Sequence, residues 1–190
     1  MASPPAAGDG RFHHLGDEPA GELQRLRVVT GTFAAPDGSR FTRDVVRNQA
    51  VVAVVPVRDD GETVVLVRQY RGPIDALLLE IPAGLCDVDG EEREATAARE
   101  LAEEVGLEAT TLTPLARFHP SAGFSDQHVT LYLATGLREV PSDRQGPEEE
   151  HMTVEEISLR DVPRLVADGT LTDGKTLIGL LAAREHLGLR

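Results

Sequence analysis

The sequence contains a single cysteine, Cys86, and it has no apolar run long enough to cross a membrane. One cysteine excludes a disulfide within the chain, and the missing apolar run argues against a membrane span. Residues 1–16 also lack the apolar core of a secretory signal peptide. These absences together predict a cytoplasmic protein.

Basic residues are also few in this chain. Its 190 residues include 19 Lys and Arg against 32 Asp and Glu, a net charge of −13. This excess of negative charge argues against binding to nucleic acid or to an anionic membrane surface. An acidic protein can still bind an anionic ligand where metal ions or a few arginines relieve the repulsion. The length suits one domain with a sizeable core, with or without a small appendage.

The strongest local signal is an acidic stretch at residues 99–107. Glu100, Glu103 and Glu104 are related as i, i+3 and i+4, so a helix would place all three carboxylates on one face. The next basic residue after Arg99 is Arg117, which leaves the three charges with little relief on the helix. Clustered oxygen ligands of this kind suit Mg2+ or Mn2+. An exposed acidic helix is the alternative interpretation of the stretch taken alone.

The flanking residues place this stretch in a defined context. Residues 77–84 form an apolar, strand-like run that ends in proline and glycine, and a polar loop follows over residues 85–90. Residues 91–105 then show helical apolar periodicity, and Gly106 suits the left-handed position after a helix. The predicted order is strand, loop, acid-faced helix and glycine stop.

This arrangement resembles the Nudix hydrolase family, whose box reads G-x5-E-x7-R-E-U-x-E-E-x-G-U, with U an aliphatic residue. The eight matching positions are Glu91, Arg99, Glu100, Leu101, Glu103, Glu104, Gly106 and Leu107. Gly84 departs from the pattern, since six residues rather than five separate it from Glu91. An extra residue in a loop costs little closure entropy, so we expect it to be absorbed before the helix begins.

The resemblance extends over most of the chain and points to the ADP-ribose pyrophosphatase branch of that family. Residues 67–73 (VRQYRGP), 80–84 (EIPAG) and 120–126 (PSAGFSD) carry it. Two positions depart from the branch, because Ala122 stands where proline is common and Gln127 where glutamate is common. The resemblance implies hydrolysis of ADP-ribose to AMP and ribose 5-phosphate with Mg2+, or with Mn2+ as the alternative ion. Other nucleoside diphosphate sugars and dinucleotides are the alternative substrates.

The resemblance also implies a set of metal ligands. Glu100 and Glu104 would bind the ion directly, and the backbone carbonyl of Ala83 would complete the site. Glu103 would be a further ligand or would share bridging waters. Arg99 would form a salt bridge with a box carboxylate and orient it.

A base must take a proton from the attacking water, and the resemblance assigns this role to Glu148. Glu149 is the neighbouring candidate, and a box glutamate such as Glu103 is another. Glu150 matches a glutamate that approaches a metal ion. A solvated acidic loop is the plain alternative for this run of charges.

Five residues are predicted to contact the substrate. Arg71 follows an apolar strand, so its guanidinium could project towards a phosphate, although a surface arginine is the alternative. Arg43 is a second candidate, for the substrate pocket of a partner subunit. Ala122, Gly123 and Gln127 lie in the loop that the resemblance places beside the substrate.

Turn and strand signals divide the chain into three parts. Residues 1–20 are predicted to be a disordered tail, and residues 48–190 to be the hydrolase domain. Residues 21–47 are predicted to form a small antiparallel sheet, and the resemblance implies that this sheet exchanges between the subunits of a homodimer. Strands are expected at 23–33, 41–47, 49–57, 63–69, 116–119, 127–134 and 153–158, and helices at 91–105, 159–168 and 173–186.

The order of these elements predicts an α/β/α sandwich with a mixed sheet. Residues 49–57 and 63–69 are expected to pair around the turn at residues 59–61. A non-catalytic Nudix-like binding module would keep this fold, but it would lose box carboxylates that this chain retains. An isomerase or glycosylase on a related fold would lack the context of Arg71 and Glu148.

Overall fold

A computed structural model describes residues 13–19, 27–144 and 149–189. The chain divides into two compact units. One unit consists of the described residues up to Gln49 together with Ser121–Gln127. The other consists of Ala50–Pro120 and residues 128–189. No helix in these described ranges is long and apolar enough to span a membrane.

The first unit contains a three-stranded antiparallel sheet of strands β1 (His13–Pro19), β2 (Arg27–Ala34) and β3 (Arg40–Arg47), in that order. The turn between β2 and β3 is held by Asp37, whose Oδ1 accepts hydrogen bonds from the backbone N and the Oγ of Ser39. The predicted small N-terminal sheet is therefore confirmed.

Strand β1 corrects part of the predicted disordered tail. The prediction covered residues 1–20, yet His13–Pro19 pairs with β2, with an irregularity between His14 and Gly16. The prediction rested on the lack of periodicity in residues 1–20, but His13–Pro19 forms a strand by backbone pairing with β2 without such a pattern. Residues 1–12 and 20–26 lie outside the described residues.

The second unit holds seven strands and three α-helices among its described residues. The strands are β4 (Val51–Pro56), β5 (Thr63–Arg71), β6 (Ala76–Glu80), β7 (Ala83–Leu85), β8 (Leu107–Phe118), β9 (Val129–Glu139) and β10 (Thr153–Ser158). The helices are α1 (Arg93–Val105), α2 (Val162–Ala167) and α3 (Gly174–His186). One sheet has the order β7-β4-β9-β8 and is mixed, because β4 is parallel to β9 and antiparallel to β7. The other has the order β10-β5-β6 and is antiparallel.

Strand β4 divides its side chains between two cores. Val52 and Val54 pack in a cluster with Ala97 and Leu101 of α1. Ala53 and Val55 pack in a second cluster, which includes Leu180 and Ala183 of α3. Alternate residues of a strand point to opposite faces of its sheet, so α1 and α3 cover opposite faces. This confirms the predicted α/β/α sandwich with a mixed sheet.

The predicted pairing of β4 with β5 is wrong. The turn at residues 59–61 forms, with Asp60 accepting hydrogen bonds from the backbone N of Glu62 and of Thr63. Beyond it, only one bridge, Val57 to Val64, joins the two segments. Strand β4 gives one edge to β7 and the other to β9, so no edge is left for β5. A turn signal in a sequence predicts a change of chain direction but not which strands share hydrogen bonds.

Helix α3 packs closely on its neighbours at Gly179. A Cβ atom at this position would lie 2.9 Å from Cδ1 of Ile81 and 3.1 Å from Cγ2 of Val55, and both side chains are fully buried. Gly174 of the same helix has nothing within 4 Å of an added Cβ atom. The two glycines therefore differ in packing although they share one helix.

We predict that Gly179→Leu lowers the free energy of unfolding by about 1–3 kcal/mol, because the added side chain overpacks a filled core. The matched control, Gly174→Ala, should stay within about 1 kcal/mol of the wild type. Urea unfolding followed by circular dichroism measures both. An unchanged urea midpoint for Gly179→Leu would contradict the close packing of α3 on the sheet.

Candidate active site

Helix α1 carries the acidic stretch and buries part of it. The helix runs from Arg93 to Val105 and is followed by Gly106, whose φ of 66° is left-handed and whose N donates to the carbonyl of Ala102. Its buried face includes two carboxylates, those of Glu100 and Glu104, beside Ala97 and Leu101. The predicted helix is confirmed, although it begins two residues later than expected.

Glu104 is the more deeply buried of the two carboxylates, with an exposed fraction of 4%. Its Oε2 accepts a hydrogen bond of 3.1 Å from the backbone N of Ala83 in β7. Burial raises the pKa of Glu104 to about 8, and the nearby charges of Glu100 and Glu149 add to this effect. The Ala83 hydrogen bond and the charge of Lys175 act in the opposite direction on this pKa.

Glu100 lies directly against the backbone of Gly84. A Cβ atom at residue 84 would fall 2.0 Å from Cδ of Glu100, so only glycine leaves room for this carboxylate. Burial raises the pKa of Glu100 to about 7, while the adjacent Arg99 acts to lower it. The glycine that departs from the box spacing therefore still shapes the site, and helix α1 follows the longer loop at Arg93.

Arg99 gathers three carboxylates of the box. Its Nη1 lies 2.7 Å from Oε1 of Glu100 and 3.0 Å from Oε2 of Glu103. Its Nη2 lies 3.4 Å from Oε2 of Glu91. Burial acts to lower the pKa of Arg99, but these carboxylates outweigh it and raise that pKa. Arg99 therefore forms salt bridges with box carboxylates, and its orienting role stays a prediction.

The predicted metal ligands lie together, but they are not gathered around one point. Within residues 13–19, 27–144 and 149–189, no three His, Cys, Asp or Glu side chains are arranged to hold a metal ion. Glu100 and Glu103 pair with Arg99, and Glu104 pairs with the amide of Ala83. The donor chemistry nevertheless fits a divalent cation, because two buried carboxylates with raised pKa values repel each other.

Negative charge in the acidic run before β10 affects the box carboxylates. The charge of Glu149, which is partly buried, raises the pKa of both Glu100 and Glu104. Glu150 is exposed. Glu148, the predicted base, lies outside the described residues. Of the described members of this run, Glu149 is the one whose charge acts on the box carboxylates.

A second group of charges borders the box and was not predicted as a group. Glu80, 1% exposed, accepts hydrogen bonds of 2.7 Å from both Nε and Nη2 of Arg71. Lys175 contacts Oε2 of Glu80 and lies 3.1 Å from Oδ2 of Asp173. Burial acts to raise the pKa of Glu80, but Arg71 and Lys175 outweigh it and lower that pKa.

Lys175 was not predicted, although the sequence carries a signal for it. It is the only lysine of the chain, and the other 18 basic residues are arginines. Arg71, predicted to contact substrate, is engaged with Glu80, and its side chain remains 41% exposed. The exposed part of the Arg71 side chain is therefore accessible, while the nitrogens that contact Glu80 are held in place.

The remaining predicted substrate residues belong to the first unit. Gln127 donates from Nε2 to the carbonyl of Gln49 at 3.4 Å, a bond that a glutamate could not donate. The guanidinium of Arg43 lies 4.9 Å from the ring centre of Phe41. Gly123 has open space where a Cβ atom would be, and Ala122 is exposed.

The loop that contains Ala122 and Gly123 is fastened to β3. Val46 donates its backbone N to the carbonyl of Phe124 at 2.7 Å. Asp126 accepts from the backbone N of Asn48 at 2.9 Å and from Nη1 of Arg47 at 3.2 Å. The loop and the N-terminal sheet are therefore parts of one compact unit.

Comparison with known proteins agrees with this geometry. The ADP-ribose pyrophosphatase of Mycobacterium tuberculosis (strain ATCC 25618 / H37Rv) is 43% identical over 147 residues, 77% of this chain and 70% of that protein. The ADP-ribose pyrophosphatase of Bacillus subtilis (strain 168) is 39% identical over 141 residues, 74% of this chain and 75% of that protein.

A solved structure described as an ADP compounds hydrolase superposes with a TM-score of 0.81 at 25% identity, covering 94% of this chain and 95% of the other. The family model of the NUDIX domain matches residues 47–177. That range includes strands β4 to β10, the box helix α1 and Lys175. The acid-faced helix, its glycine-lined cradle and the sandwich around them thus place this chain in the Nudix hydrolase family, to which it belongs.

Proposed function

We propose that this protein hydrolyses ADP-ribose to AMP and ribose 5-phosphate and that it requires Mg2+, with Mn2+ as the alternative ion. The observation that carries the proposal is the pair of buried carboxylates, Glu100 and Glu104, on the buried face of the box helix. The names of the two relatives at 43% and 39% identity support the choice of substrate.

The chemistry of a pyrophosphate bond explains why such a pair is useful. The bridging oxygen lies among negative charges, so an attacking water or hydroxide is repelled until cations screen the phosphates. A bound divalent cation would supply that screening and stabilise the leaving oxygen. Glu100, Glu104 and the carbonyl of Ala83 would hold it, with Glu103 as a further ligand.

Other side chains of the second unit would position the metal ligands and the substrate. Arg99 keeps the carboxylates of Glu100 and Glu103 turned towards each other through its two salt bridges. Arg71 would present its exposed face to a substrate phosphate while Glu80 fixes its inner face. A glutamate of the run 148–150 would accept the proton of the attacking water, with Glu148 as the candidate from the resemblance and Glu150 near the metal.

The assembly and location of the protein stay predictions from the sequence. We propose a cytoplasmic homodimer whose N-terminal sheets, residues 21–47, exchange between subunits. In such a dimer Arg43 would face the substrate of the partner subunit. The basis for this proposal is the resemblance of the N-terminal strands to those of ADP-ribose pyrophosphatases.

Two residues of the loop 121–127 favour a relaxed choice of sugar. Proline would fix the φ angle at position 122, whereas Ala122 does not. The loop is therefore less pre-organised for the sugar. Gln127 lacks the charge of glutamate but can still form hydrogen bonds. Both changes should affect the selection of the terminal sugar more than they slow phosphoryl chemistry, since neither lies in the box.

We predict that Glu104→Gln lowers kcat with ADP-ribose and Mg2+ by about a hundredfold or more, because a neutral amide replaces a metal ligand. The variant should also lose the Mg2+-dependent rise in the unfolding temperature that we expect of the wild type. Glu94→Gln is the matched control, since Glu94 lies on the exposed face of the same helix. Equal Mg2+ effects in Glu104→Gln and the wild type would refute the proposed metal site.

We predict that Glu148→Gln lowers kcat by about 10²–10⁴-fold, the usual contribution of general-base catalysis. Single-turnover rates of Glu148→Gln, Glu149→Gln and Glu103→Gln at saturating Mg2+ give the comparison. A loss confined to Glu149→Gln would move the role of base by one residue. A loss confined to Glu103→Gln would assign it to the box.

We predict that the wild type hydrolyses ADP-ribose and, more slowly, ADP-glucose, because the loop 121–127 is less selective. Phosphomonoester release from both compounds, from a dinucleotide and from GDP-mannose, each with Mg2+, measures this as kcat/KM. A strong preference for ADP-glucose would refute ADP-ribose as the substrate. Failure to cleave any of the four would favour a non-catalytic binding module.

A further inference from the structure

Lys175 stands apart from every other basic residue of the chain. It is the only lysine, and its side chain is 15% exposed. It belongs to the first turn of α3, two residues after Asp173, which caps the helix by accepting from the backbone N of Thr176. Its ammonium bridges Asp173 at 3.1 Å and the fully buried carboxylate of Glu80. At this position the chain has the compact ammonium of lysine, whereas it uses the larger guanidinium of arginine elsewhere.

Thr176, the residue after Lys175, also attaches α3 to the chain at the end of β6. Thr176, fully buried, accepts at Oγ1 a hydrogen bond of 3.0 Å from the backbone N of Ile81. The same hydroxyl donates to Oδ2 of Asp173 at 2.6 Å. Two consecutive residues of α3 therefore hold two consecutive residues of the segment that leads from β6 to β7.

That segment ends in the contact with the box. Pro82 accepts a backbone hydrogen bond of 2.9 Å from Val54, and Ala83 donates one of 3.1 Å to Glu104. Residues 80–83 are thus fixed at one end by α3 and at the other by β4 and α1. The chain between these two attachments is only four residues long, from Glu80 to Ala83.

Glu80 has two cationic partners, Arg71 and Lys175. Arg71 could not replace Lys175, since both of its nitrogens that face Glu80 are already engaged with that carboxylate. The Glu80 carboxylate needs both cations, because a buried charge that loses a partner is costly.

We propose that Lys175 is a positioning residue of the active site, which holds Glu80 and thereby the Ala83 backbone against Glu104. The role rests on the proposed hydrolysis, for which Glu104 and Ala83 are metal ligands. Lys175 touches neither substrate nor metal in this scheme. Its effect should appear in kcat and in the Mg2+ requirement, and not in KM for the substrate.

The kinetic test replaces the ammonium and keeps the length of the side chain. Lys175→Met should lower kcat for ADP-ribose about tenfold and raise the Mg2+ concentration for half-maximal rate, as is usual when a group that supports a metal ligand is lost. KM for ADP-ribose should stay unchanged. The matched control is Arg164→Met, which removes a cation from exposed pairs with Asp161 and Asp168 and should leave all three values unchanged.

A spectroscopic test uses the single lysine and needs no substrate. Wild-type protein labelled with 13C at the ε-carbon of lysine gives one lysine methylene signal in a heteronuclear NMR spectrum. Adding Mg2+ should shift this signal, with the same midpoint as the Mg2+-dependent rise in unfolding temperature. The shift should be absent in Glu104→Gln. This arm decides the proposal if Lys175→Met does not fold.

The outcomes separate this inference from the proposed function. An active wild type with an unchanged kcat in folded Lys175→Met would overturn the positioning role alone. A raised KM with unchanged kcat would also overturn it, because Lys175 would then act on the substrate. Mg2+ that stabilises the protein without moving the lysine signal would overturn it as well. A wild type that neither binds Mg2+ nor cleaves a diphosphate would overturn both.

Discussion

Buried negative charge is the constraint on which the site of this protein depends. Three acidic residues, Glu80, Glu100 and Glu104, are buried, with exposed fractions of 1%, 9% and 4%, in a chain whose net charge is already −13. An unpaired charge in such a place is strongly destabilising. Glu80 has two cations of the protein beside it. Glu100 shares one with three other carboxylates, and Glu104 has a backbone amide.

The carboxylates of this region differ in how much positive charge lies beside them. This difference distinguishes a structural carboxylate from candidate functional ones. The Glu80 carboxylate is fully compensated, and its pKa is lowered. The Glu100 and Glu104 carboxylates are under-compensated, and their pKa values are raised to about 7 and about 8. Perturbed groups of the second kind are typical of functional sites, whereas compensated ones serve to hold a scaffold. Strand β7 lies between the two kinds and connects them through Ala83.

The sequence predicted the parts of this structure that depend on local pattern. Helical periodicity and Gly106 located α1 to within two residues at its start. Strand β10 was predicted at its observed bounds, and α3 to within one residue. The pairing of strands was less accessible, because β4 and β5 are joined by a recognisable turn and still separate into different sheets. The attachment of Lys175 to Glu80 spans 95 residues, and no local pattern records such a distance.

The loop Ser121–Gln127 shows how sequence order and physical units can differ. It lies between β8 and β9, yet its fastening through Asp126 joins it to Arg47, 79 residues earlier, and makes it part of the unit that holds the N-terminal sheet. For protein engineering, this sets the boundaries of an exchangeable module. A chimaera that takes its N-terminal strands from a relative must take this loop as well, because otherwise two chains of separate origin would meet at the Arg47–Asp126 salt bridge.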